Sequence, residues 1–175
     1  MTLPTRTLLL CFLLLALLLP VEIYVIGDAL GAGIQCPLFR YQETYLGSST
    51  ITILRDLDYV AFGIISGRSA LSILLRVCGS ALLIAAAIYL AWKWQEDYDS
   101  FRKPLALLVA GAGVAYLLSC VAQYGPTLYG PAGFAVPVGV PLILAVAWYI
   151  VRVEEDDELG CEGEEEYGEE TDEEE

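Results

Sequence analysis

Four apolar stretches constrain this chain more than any other feature of it. Residues 7–26 (TLLLCFLLLALLLPVEIYVI), 71–92 (LSILLRVCGSALLIAAAIYLAW), 104–122 (PLALLVAGAGVAYLLSCVA) and 132–151 (AGFAVPVGVPLILAVAWYIV) are 19 to 22 residues long and carry almost no charge. A helix needs about 20 such residues to cross about 30 Å of hydrocarbon. The core helix of a soluble protein interleaves polar positions at helical spacing, and these stretches do not. Apolar residues make up 57% of the 175-residue chain, above the roughly 45–50% of soluble domains, and the surplus is concentrated in these stretches. The expected fold is therefore all-α: a polytopic four-transmembrane-helix bundle within a membrane domain of residues 1–153, followed by a disordered acidic C-terminal tail over 154–175.

Proline and glycine add detail to the spans. Pro20 is expected to kink the first span near its end. Pro104 suits the first turn of the third span, with Ser100 available upstream as a cap. Pro137 and Pro141, with Gly133 and Gly139 close by, leave the outer half of the fourth span bent or partly unwound. A signal peptide competes for residues 7–26, since Arg6 followed by Leu8 to Leu19 has an n-region and an h-region, but no clear A-x-A cleavage site follows Pro20.

The net charge of −14 belongs to the tail, because 15 of the 23 acidic residues lie in 154–175 and the rest of the chain holds 8 acidic against 9 basic residues. Lysine and arginine near span ends set orientation. With the N-terminus in the cytoplasm, Arg6, Lys93, Arg102, Lys103 and Arg152 lie inside, against Arg40, Arg55 and Arg68 in a longer outer segment. Trp92, Trp94, Trp148 and Tyr149 then gather at the inner interface, and Tyr24, Tyr124 and Tyr129 at the outer. Both termini are expected in the cytoplasm and the protein in the cell membrane, no organelle address being present.

The extracytoplasmic segment 27–70 is too long for a turn and too mixed for a span. Ile51, Leu54, Leu57, Val60, Ala61 and Ile64 recur at helix-like spacing, which favours an amphipathic helix over 50–66. The rival is a hairpin, with Leu38 to Leu46 partly alternating, Gly47 and Ser48 turning, and a β-branched stretch from Thr50 to Leu54. The twice-repeated Tyr-Gly-Pro of residues 124–126 and 129–131 reads as a pair of turns with interfacial tyrosine anchors.

Ionisable side chains within spans are costly and so carry a functional hypothesis. Glu22 and Arg76 fall at similar depths from the outer ends of the first and second spans, which makes them an intramembrane ion-pair candidate, with separate snorkelling to the interface as the plainer outcome. Five cysteines lack metal-site spacing, so no metal is expected; Cys36 and Cys120 alone lie toward an oxidising side, where a disulfide between them is open. Ala106, Ala110, Gly111, Ala112, Gly113 and Ala115 give the third span a small-residue surface for packing within the bundle or for homo- or hetero-oligomerisation. The tail offers acidic side chains to a basic cytoplasmic protein or to weakly held divalent cations.

There is no histidine, which excludes Ser/His triads, imidazole metal sites and histidine proton relays. No nucleotide-binding loop is present, and neither a cofactor nor a nucleic-acid partner is expected. The functional expectation is a non-enzymatic accessory or interaction subunit of the lipid bilayer. One alternative is a small transporter or channel using Glu22, Arg76 and the proline-broken fourth helix. The other is a membrane-embedded enzyme acting on lipid through Asp56, Asp58 and Arg68.

Overall fold

The computed structural model describes residues 3–27, 30–95, 98–130 and 133–152, so the acidic tail lies outside the described residues. Five helices and six strands follow one another as α1 (Leu3–Ala16), β1 (Glu22–Ile26), β2 (Gly31–Gln35), β3 (Phe39–Thr44), β4 (Gly47–Thr52), α2 (Ile53–Ala61), α3 (Gly67–Trp92), α4 (Tyr98–Tyr124), β5 (Tyr129–Gly130), β6 (Gly133–Val136) and α5 (Val140–Arg152). The strands form one antiparallel sheet of order β4-β3-β2-β1-β6-β5. The chain is therefore not the expected all-α four-span bundle. Among the described residues only α3 and α4 are long and apolar enough to cross a membrane, while α1 and α5 are shorter apolar helices.

The two spans that fail do so at their prolines. Helical turns continue past α1 as far as Leu19, whose N–H bonds to Leu15 O at 2.9 Å. Pro20 then supplies no N–H and pushes the preceding residue out of the helical region. The β-branched Val21, Ile23, Val25 and Ile26 that follow extend, and Val21 N–H already bonds to Gln35 O at 2.7 Å. At the other end, Pro137 and Pro141 delimit the break between β6 and α5, and Pro141 occupies the first turn of α5, where a missing N–H costs nothing. The outer thirds of the first and fourth apolar stretches thus pair with each other, Ile23 opposite Val136 and Tyr24 opposite Ala135. An extended backbone in lipid would strand its polar groups, and pairing satisfies them.

In the segment between β1 and α3, hairpin and helix both form, in sequence. β3 and β4 pair from Phe39–Thr52 to Thr44–Gly47, and α2 begins only after Thr52. Pro104 sits inside α4 and not in its first turn. The helix starts earlier because Phe101 is already core: fully buried, it meets Tyr89 edge-on at 6.3 Å between ring centroids.

α1, α3, α4 and α5 share one apolar core with helical periodicity on every member: Leu9 and Leu13; Leu83, Ala86 and Leu90; Phe101, Leu105, Val109 and Ala112; Ile143, Ala147 and Ile150. Ala106, Ala112, Gly113 and Ala115 of α4 are buried within this bundle, and Gly113 lies directly against Leu144 of α5. Connectivity places the sheet at one end of the bundle, since α1 and α4 run into strands and α2 and α5 run out of them. Arg6 lies at the other end, donating to the Trp94 carbonyl and stacking over Phe101 at 5.7 Å.

Two glycines hold the sheet against itself. A Cβ on Gly33 would lie 2.5 Å from the Tyr24 ring, so only glycine lets that ring lie across β2. Gly133 has φ +118°, and a Cβ there would lie 1.8 Å from Val25 O, inside the β1–β6 pairing.

Candidate functional site

The inner face of α3 changes character along its length. Ser72, Arg76 and Ser80, four residues apart, are buried on the same side as the wholly apolar Leu83, Ala87 and Leu90 further on. α4 runs antiparallel and brings Tyr116, Ser119, Cys120 and Tyr124 to the same level. The polar half of both helices is the half beneath the sheet. Ser72 Oγ and Ser119 Oγ lie 2.9 Å apart, and Ser119 also donates to Ser72 O at 2.8 Å. Ser80 Oγ donates toward Pro37 O at 2.8 Å and lies 3.0 Å from the Tyr116 hydroxyl, tying the β2–β3 turn to the bundle.

Asp56 of α2 is completely buried at the centre of this region. Its Oδ1 lies 2.9 Å from Arg40 Nη2, and its Oδ2 accepts from Arg76 Nη2. One carboxylate thus bridges β3 and α3. A lone buried charge would be strongly unfavourable, which the two guanidinium groups offset. Each arginine keeps donors in reserve: Arg40 Nε and Arg76 Nε are buried without a hydrogen-bond partner.

The two arginines, but not Asp56, border a cavity of about 400 Å³ between the inner sheet face, the start of α3 and the end of α4. Glu22, Tyr24, Gln35 and Arg40 enter from the sheet, Ser69, Ser72 and Arg76 from α3, and Gln123 and Tyr124 from α4, with Ile64 and Ile65 at one side. Along β1 the usual alternation is inverted, Glu22 and Tyr24 being buried and Ile23 exposed. Burial pushes the Glu22 carboxyl above its ordinary value of 4.5, partly opposed by the Cys120 thiol that donates to it and by the charge of Arg76. Stability linked to Glu22 is therefore fully present below about pH 4.5 and is lost as pH rises through its elevated folded value. Wild-type protein is expected to melt at progressively lower temperature over that rise, and Glu22→Gln to show a flatter profile; parallel profiles would refute the assignment.

Glu22 and Arg76, proposed from sequence as a pair, line the same cavity, but the carboxylate paired with Arg76 is Asp56. Cys36 and Cys120 are both buried free thiols. Asp58 and Arg68 are exposed, whereas Asp56 is buried, and none of the three lines the cavity. The sequence did hold a signal for Asp56: Ile53, Asp56, Leu57 and Val60 recur at i, i+3, i+4 and i+7, which puts the carboxylate on the inward face of α2 and not with Arg55 and Asp58. Its partner Arg40 gave no local signal. Among the described residues no three His, Cys, Asp or Glu side chains group as a metal site. No protein-family model and no curated protein sequence matches this chain.

Proposed function

We propose that the chain is a non-enzymatic membrane interaction protein, a bundle anchored in lipid that presents a small sheet on the outer side. The single observation that carries this reading is the pattern of exposure. Leu8, Phe12, Leu15, Leu74, Ile88, Leu107, Leu118 and Leu142 are large apolar side chains exposed around all four bundle helices. Surfaces apolar on every side belong in hydrocarbon. Arg6, Lys93, Arg102, Lys103 and Arg152 collect at the end opposite the sheet, Arg152 lying 4.8 Å over Trp148 and Lys93 5.4 Å over Trp92. By the positive-inside rule that end faces the cytoplasm, as do both termini. The acidic tail is then on the cytoplasmic side, available to a basic cytoplasmic partner or to divalent cations.

Against transport by a single copy stands the closed lower core. Below Tyr116 the bundle centre is filled by Leu83, Leu90, Leu105, Val109 and Ile150, and among the described residues no buried polar side chain lies there to carry an ion. The lipid-acting enzyme loses its proposed constellation, since Asp56 is engaged by two arginines.

Topology is testable by thiol labelling. Ser48→Cys on exposed β4 is expected to react with a membrane-impermeant maleimide in intact cells, and Cys161 of the tail only after permeabilisation. The reverse pattern would overturn the orientation, and release by alkaline carbonate without detergent would overturn anchorage. Ion flux in proteoliposomes that is abolished by Glu22→Gln would replace the interaction reading with transport.

A further inference from the structure

We propose that the cavity between sheet and bundle is a binding site for a single oxyanion, a phosphate or carboxylate group presented at the outer membrane interface. Its volume, about 400 Å³, falls within the roughly 300–1,000 Å³ of ligand pockets. Arg40 and Arg76 share one carboxylate, so the three side chains retain one positive charge. A guanidinium carries five N–H donors in a fixed fork suited to oxyanions. Arg76 is only 3% exposed and lines the cavity, yet its Nε has no partner, as is true of Arg40 Nε. Both Nε atoms are closed off from open space, so an oxyanion in the cavity is held by the guanidinium charge and by the accessible part of the Arg40 side chain, which is 23% exposed. Gln35, Ser69, Gln123 and Tyr124 add polar groups around the same space, and Ile64 and Ile65 provide an apolar flank.

Among the described residues of the wall, Glu22 is the one that opposes an anion. The charged and titratable groups around it are Cys120 and Tyr124 on α4, Arg76 on α3, Tyr24 on its own strand, Arg40 on β3 and Asp56 behind the arginines. When Glu22 is protonated the group is cationic, and when it is ionised the excess charge is cancelled. An anion is therefore bound more tightly when Glu22 carries its proton.

The test is the thermal shift of full-length, detergent-solubilised protein at neutral pH with three probes: inorganic phosphate, phosphatidylglycerol, and phosphatidylcholine as the lipid of zero net charge. Stabilisation by phosphatidylglycerol beyond phosphatidylcholine, with no effect of phosphate, identifies a lipid headgroup; stabilisation by phosphate as well identifies a free anion. In either case Arg40→Gln, at the cavity rim, is expected to weaken the apparent affinity about tenfold, the loss of one charge-assisted bond. Glu22→Gln is expected to bind at least as tightly as wild type, and this second variant stands independently of any folding defect in the first. No shift with any anionic probe, or equal shifts in wild type and in a folded Arg40→Gln, would overturn the proposal. Because detergent extraction and labelling test anchorage separately, failure here leaves the membrane reading standing.

Discussion

Replacing Asp56 with alanine is expected to lower stability by about 3–5 kcal/mol, the cost of leaving a buried pair without one partner. Asp56 is completely buried and answers Arg40 and Arg76 together, so its loss leaves two guanidinium groups facing each other with no intervening charge. Arg76 is itself 3% exposed and has little recourse to water. The damage should be specific. The carboxylate is the link between α2, β3 and α3, so amide exchange should accelerate in those elements first. Asp58→Ala, two residues away on the exposed face, is the control and should melt with wild type. An Asp56→Ala protein that also melts with wild type would remove the buried cluster from any account of this fold.

The second large effect is expected at Gly133. Alanine there must hold φ near +118°, where side chains are strained, at a cost of about 1–3 kcal/mol. Its Cβ would also overlap Val25 O, 1.8 Å away, and relieving such crowding costs about another 1–3 kcal/mol. The only relief is to part β1 from β6, which breaks the ladder joining the two ends of the chain. Hydrogen exchange should therefore rise at Tyr24 to Ile26 and at Phe134 to Val136, while α3 and α4 stay protected. Gly111→Ala is the matched control: its Cβ meets only Leu82 Cδ1, at 3.4 Å, and alanine favours the helix. Equal melting of the two variants would show that the β1–β6 seam contributes nothing to stability.

The cluster and the seam do related work. The seam closes the sheet over the end of the bundle, and the Asp56 cluster fixes the far side of the sheet to α3. Between them lies the cavity. Its walls come from β1, β2, β3, α3, α4 and the segment that leads into α3, so loss of either support is expected to weaken oxyanion binding even where the arginines remain.

Apolarity and proline placement are local properties, and they suffice for the parts of this protein that depend on nothing distant. Residues 71–92 and 104–122 lie within helices long and apolar enough to cross a membrane, as their length and near-absence of charge required. The prolines at 20, 137 and 141 marked where the other two apolar stretches cease to be helical. What replaces the helix there was decided by tertiary structure. A β-branched stretch after a proline extends only if another strand takes up its hydrogen bonds, and the partner of Ile23 is Val136, more than a hundred residues away. The same holds for the polar centre. Arg40 carries no signal in the sequence, and Arg76, legible as an ionisable residue within an apolar stretch, was matched there with Glu22 although its partner in the fold is Asp56. Burial makes Asp56 costly alone and necessary together with its partners, and burial belongs to the folded whole.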